Sequence, residues 1–172
     1  MSEKTPAISD DDWSRQEQLN ALVGHAISLW SNMETTIVSI FAILLRTEAG
    51  KAGLVMFSIN NINTWLEIVT ELFARDKLFS DFSKAWNKKA ERLKRMNNGR
   101  VRLAHHSSLD LKGKMPAALR PSHLDTRSRS QAYQAMTMKE IDQLADDIAA
   151  MQSDLWDLQI QMVKRKIGLA RV

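Results

Sequence analysis

Cysteine is absent from the 172 residues, which excludes disulfides, thiolate metal sites and a cysteine nucleophile, and fits a reducing compartment. Glycine and proline are scarce, at six and three. The six glycines form no phosphate-cradling loop, and no HExxH, ExxH or acidic ligand cluster is present, so neither a cofactor nor a metal is expected. Long apolar runs are missing too. The longest, Ile37 to Leu45 with only Ser39 interrupting it, falls well short of the roughly 20 residues a bilayer requires. The first twenty residues are polar and carry Asp10, Asp11 and Asp12 in a row, unlike a secretory signal. There is no repeat of solenoid type. Together these absences predict a soluble cytoplasmic protein.

What is present favours helices. Hydrophobic residues make up 44% of the chain, enough for one sizeable core without staples. The residues that are common, Ala, Leu, Met, Gln, Lys and Arg, are helix formers. The expected organisation is a single all-α domain over 1–172, an antiparallel bundle of four long helices, with a flexible start over 1–9 and a long connecting loop over 108–136 before the last helix. The net charge of +4 is unevenly spread. Residues 84–106 hold eight Lys or Arg against the single Glu91, whereas 140–157 hold six acids and no base. A basic middle beside an acidic helix suggests a surface that faces a polyanion, or a solvated face that pairs with its acidic neighbour.

Apolar spacing places the helices. Leu19, Val23, Ala26, Trp30, Met33, Ile37, Ile40 and Leu44 recur at alternating steps of four and three, a heptad-type stripe on a helix beginning near Trp13. Gly50 and Gly53 bracket an expected break. A second helix is expected over Ala52 to Ala74, with Asn60, Asn61 and Asn63 as a kink or cap in its middle and a turn at Arg75-Asp76. The third helix carries Phe79, Phe82, Trp86, Lys89, Leu93, Met96, Arg100 and Leu103 and is expected to continue past Gly99 to Ser107. The loop region is expected to hold a short strand pair near Leu109 to Leu111. A capping box, Thr137-Met138-Lys139-Glu140, opens the last helix, whose stripe runs through Ile141, Leu144, Ile148, Met151, Leu155, Leu158 and Met162 to a stop at Gly168.

Arg100 breaks the third stripe. A guanidinium among apolar positions needs a partner, because an unpaired buried charge is costly. It can pair with a carboxylate of the same chain, with Glu34 as the best-placed candidate, face a second subunit, or line a cleft that receives an anion. His105 follows five residues later, about 140° round the helix at 100° per residue, with His106 beside it. A histidine near a helix C-terminus also interacts favourably with the dipole.

The segment Arg100-Val101-Arg102-Leu103-Ala104-His105 resembles the Arg-x4-6-His motif of the HEPN superfamily of helical ribonucleases and nucleotide-binding domains. His106 also falls in the permitted window. The likeness extends over residues 15–165, although the short motif is its specific part. It implies a homodimer whose two motifs line one basic cleft near the axis. There Arg100 would bind the scissile phosphate and His105, or His106, would handle the proton of the 2′-hydroxyl, which attacks the adjacent phosphorus without a metal, expelling the 5′-oxygen and leaving a cyclic phosphate. Lys88, Lys89, Arg92, Lys94, Arg95 and Arg102 would contact phosphates. The expected function is therefore RNA binding, with metal-independent endoribonuclease activity of a defence or toxin type system implied by the resemblance. Val101 departs from the family pattern, in which a polar residue, often Asn, follows the Arg. Two other readings stand beside this one: a non-enzymatic helical dimerisation protein with a structural Arg100, and a mononucleotide-binding domain working with a partner transferase.

Overall fold

The computed structural model describes residues 10–107, 118–121 and 135–169. The element order is α1 (Asp10–Leu45), α2 (Ala49–Phe57), α3 (Ile62–Arg75), a 3-10 turn (Ser80–Phe82), α4 (Ser83–His105), β1 (His106–Ser107), β2 (Ala118–Pro121), β3 (Met136–Thr137) and α5 (Met138–Leu169). The all-α class holds: five α-helices carry the described residues, and the strands are two to four residues long. The expected strand pair at Leu109 to Leu111 and the flexible start lie outside the described residues. The chain divides into two compact units. One comprises residues 1–28 and 98–147, the other 29–97 and 148–172.

The 29–97/148–172 unit holds most of the buried apolar side chains. The sequence stripes are legible here: Trp30, Met33, Ile37, Ile40 and Leu44 of α1, Trp86, Leu93 and Met96 of α4, and Met151, Leu155, Leu158 and Met162 of α5 are all buried. From Ile37 onward α1 also buries Val38, Phe41 and Ala42, so this end is enclosed on several sides.

The break after α1 differs from expectation. It falls at Arg46–Glu48, and α2 contains both Gly50 and Gly53. Arg46 takes a left-handed backbone angle, φ 54°, which stops the helix. Its guanidinium reaches the Leu44 carbonyl at 3.1 Å and the Asp76 carboxylate at 3.0 Å. Gly53 tolerates its place inside α2, where an added Cβ would meet Phe57 and Val38 at ordinary contact distances. The single helix expected over Ala52 to Ala74 is two helices. Asn61 ends the interval between them as the N-cap of α3, its side chain accepting from the Asn63 backbone N–H at 2.9 Å. An asparagine offers the backbone this local alternative to helix. The Trp65 indole N–H then donates to the Ile59 carbonyl at 2.9 Å, and its ring meets Phe57 edge-on at 5.2 Å.

Asp76 closes α3. Its side chain is 8% exposed and accepts from the backbone N–H groups of Leu78 and Phe79 at 2.8 and 3.2 Å, besides pairing with Arg46. The turn expected at Arg75-Asp76 is therefore built by a carboxylate that serves two helix ends. From α5, Arg165 reaches the 3-10 turn. It pairs with Asp81 at 3.1 Å, donates to the Leu78 carbonyl at 3.1 Å, and lies 4.4 Å over the Phe82 ring.

In the 1–28/98–147 unit, β2 pairs antiparallel with β1 (His106 opposite Pro121) and with β3 (Leu119 opposite Met136). Leu119 and Met136 are buried, as are Leu19, Ala26, Leu103, Ile141 and Ala145. The capping box forms as expected. The Thr137 N–H and hydroxyl donate to Glu140 at 2.7 and 2.8 Å, and the Glu140 N–H donates back to the Thr137 hydroxyl at 3.2 Å. α5 continues through Gly168 to Leu169 rather than stopping at the glycine.

Among the described residues, one helix stretch, Ser14–Leu45, is long and apolar enough by length and composition to cross a membrane; half of its most apolar window is buried in the protein. The run Ile37 to Leu45 forms the C-terminal end of this stretch. The core helix of a soluble protein passes the same test.

Two outcomes follow from these contacts. Asp76→Ala removes the acceptor of two backbone N–H groups and the Arg46 pair, and should cost about 2 kcal/mol in chemical denaturation. The bonds from Thr137 hold the Glu140 carboxyl below its usual range, aided by the Arg102 charge and opposed by desolvation. A depressed carboxylate contributes stability that is present above its unfolded value, about 4.3, and is lost as pH falls through the folded value. Thermal denaturation of Glu140→Gln should therefore differ from that of the native chain near neutral pH and converge with it in acid.

Candidate nucleic-acid interface

The rotation of α4 in the 29–97/148–172 unit is set by Trp86. Its ring is fully buried against Phe73, with centroids 5.5 Å apart, and its indole N–H donates to the Thr70 hydroxyl at 2.8 Å. With Trp86, Ala90 and Leu93 turned inward, 100° per residue puts Lys84, Lys88, Arg92 and Arg95 together in an arc of about 80° on the other side. Lys84, Lys88 and Arg95 are exposed, and they make no ion pair among the described residues. Lys84 was not among the residues singled out from the sequence; its signal was the four-residue step to Lys88.

The other expected phosphate contacts are differently engaged. Lys89 sits on the apolar stripe, half-buried, and sends its ammonium to the Asp154 carboxylate at 3.6 Å. Arg92 approaches the same carboxylate at 4.0 Å. An open groove of about 320 Å³ lies here, lined by Ala85, Lys88, Lys89, Arg92, Met151 and Asp154. Three cations against one carboxylate make it an anion-attracting groove. Lys94 faces elsewhere. It pairs with Glu91 at 3.2 Å and borders a larger groove, about 570 Å³, that also holds Glu67 and Glu71. That groove is acidic and repels phosphate.

The 1–28/98–147 unit carries the motif residues. α4 runs unbroken through Gly99, where a Cβ would lie 2.7 Å from Leu144 Cδ2. The glycine makes no bend here; it leaves room for the end of the Leu144 side chain of α5, which a Cβ would push aside. Arg100 is half-buried one turn before the buried Leu103. It has no hydrogen-bond or ion-pair partner among the described residues. Glu34, the candidate partner, accepts from the Trp30 indole N–H on its own helix at 2.7 Å. His105 is exposed and is the last residue of α4; His106 is half-buried and begins β1. Because the helix is regular to His105, Arg100 and His105 stay about 140° apart, and the helix alone does not converge them on one atom. Arg102 donates to the Ala135 carbonyl at 2.9 Å, so it ties α4 to the segment entering β3. Val101 is exposed. Among the described residues, no group of three or more His, Asp or Glu is placed to hold a metal ion.

A half-buried guanidinium with no partner among the described residues can contribute little to folding. Arg100→Met should change the unfolding free energy by less than about 0.5 kcal/mol, measured by denaturant titration; a loss of several kcal/mol would reveal a structural pair. The chain matches no family model, no curated protein and no solved structure.

Proposed function

We propose that the chain is a HEPN-like RNA-binding protein, cytoplasmic and homodimeric, whose phosphate-contacting surface is the basic face of α4. The observation that carries this reading is the row Lys84, Lys88 and Arg95, exposed and without ion-pair partners among the described residues, beside a groove with Lys89 and Arg92. A face meant only for solubility or internal pairing would more naturally mix signs or meet its acids, as Lys94 does with Glu91. The resemblance also supports an antiparallel bundle for the long helices and a metal-independent cleavage of RNA. In that chemistry Arg100 holds the phosphate through its planar fork and His105, or His106, takes the 2′-hydroxyl proton. That Arg100 has no partner among the described residues is consistent with an anion-binding role.

One observation favours a second reading, a non-enzymatic helical dimerisation protein: an apolar stripe on α5 is left uncovered, and Arg100 and His105 stand on different sides of their helix.

Fluorescence anisotropy with single-stranded RNA tests the binding. Three or four phosphate contacts predict a log–log salt slope of roughly −2 to −3, reduced in Lys88→Glu and Arg95→Glu; no binding at low salt removes RNA from the reading. Incubation of RNA in EDTA tests cleavage. Arg100→Lys and His105→Ala should each lose it, and DNA of the same sequence should resist because it lacks the nucleophile. Cleavage that survives His105→Ala together with His106→Ala would assign the chemistry elsewhere.

A further inference from the structure

α5 carries two apolar stripes. Met151, Leu155, Leu158 and Met162 are buried. Trp156, Ile160, Val163 and Ile167 are exposed by 55, 37, 37 and 49%. These four follow steps of four, three and four, the d-a-d-a positions of a heptad. They fall within about 60° of one another, and about 140° from the buried stripe. Isolated exposed apolar residues need no explanation, but a heptad seam with a tryptophan in it does.

The charges beside the seam say what covers it. Asp157 and Lys164 occupy successive e positions on one flank, are exposed, and make no ion pair among the described residues. Laid antiparallel on an identical helix with Ile160 against Val163 of the second copy, Trp156 meets Ile167 of that copy, and e faces e across the flank. Asp157 then faces Lys164 of the second copy, and the two-fold axis generates the same pair again. The other flank brings Gln159 opposite Lys166, with no repulsion. In a parallel arrangement e faces g, and Asp157 and Lys164 would meet Gln152 and Gln159 instead. The sequence is thus self-complementary in one orientation.

We propose that a second copy of this chain covers the α5 seam as an antiparallel, two-fold helix pair centred between Ile160 and Val163, held by the apolar layers and oriented by the two Asp157–Lys164 pairs. This rests on the homodimer part of the reading above, names the surface that makes it, and does not depend on RNA. It places α5 at the axis, whereas the family resemblance implies an axis near the helix of Arg100.

Sedimentation or light scattering over a concentration series tests it. The native chain should dimerise at micromolar concentration. Ile160→Lys should be monomeric with an unchanged far-UV circular dichroism spectrum, since the side chain is exposed. Asp157→Lys should weaken the dimer about fivefold, because two modest exposed pairs become repulsive, and Lys164→Asp should do the same. The double variant Asp157→Lys, Lys164→Asp should regain native affinity, whereas in a parallel pair neither single variant would weaken the dimer and there would be no loss to rescue. A native chain that stays monomeric at a hundred micromolar or so overturns both this inference and the homodimer reading. A dimer indifferent to Ile160→Lys overturns the inference alone and leaves a dimer made elsewhere. A monomer whose seam instead binds lipid vesicles, with loss in Ile160→Lys, also overturns it.

Discussion

The contact between Trp86 and Phe73 governs what α4 can present. An indole of this size contributes a few kcal/mol when fully buried, far more than any single exposed ion pair. Its N–H has one satisfactory acceptor, the Thr70 hydroxyl at 2.8 Å. Rotating α4 by one residue would expose that ring and strand the N–H. The helix is therefore locked about its axis, and the charged residues between the apolar ones have no choice of side. Lys84, Lys88 and Arg95 face solvent because Trp86, Ala90 and Leu93 cannot.

The same lock explains the two cations that sit on the apolar stripe, and why they differ. Lys89 has a long flexible stem that follows the apolar surface outward, so its ammonium reaches Asp154. Asp154 supplies from α5 the acid that the α4 stripe lacks. Arg100 lies where Gly99 brings α5 close, yet no carboxylate or carbonyl among the described residues meets it. A group that is half out of water and unpaired has an unfilled demand for an anion. Arg102, two residues on, shows the contrasting case: its guanidinium is committed to the Ala135 carbonyl.

Much of the fold was readable from periodicity. The stripes of α1, α4 and α5 required no knowledge of the tertiary structure, since steps of three and four leave one face to bury, and Val23 and Leu144 are half-buried rather than out of place. The capping box was readable because its chemistry is local. The break after α1 was not: Gly50 and Gly53 looked like punctuation, whereas the stop is made by Arg46 in a left-handed conformation, secured by Asp76 thirty residues away. Nothing local marks an arginine for that role. The three asparagines signalled a disturbance without saying which would cap. At the candidate site, the number of basic residues was plain but their allocation was not. Whether a lysine faces open solvent or the groove with Glu67 and Glu71 depends on packing against α3, which the α4 sequence does not contain. The second stripe on α5 was hidden for another reason: the buried seam accounts for the helix so well that an interleaved heptad of Trp156, Ile160, Val163 and Ile167 reads as ordinary surface.

The central claim is that α4 presents its basic face to RNA. Hydrogen–deuterium exchange of the whole chain, with and without a short single-stranded RNA, tests it most directly. The account predicts slowed exchange concentrated in peptides covering 84–105, diminishing as salt is raised. Protection confined to other segments, or no change anywhere at low salt, would contradict it.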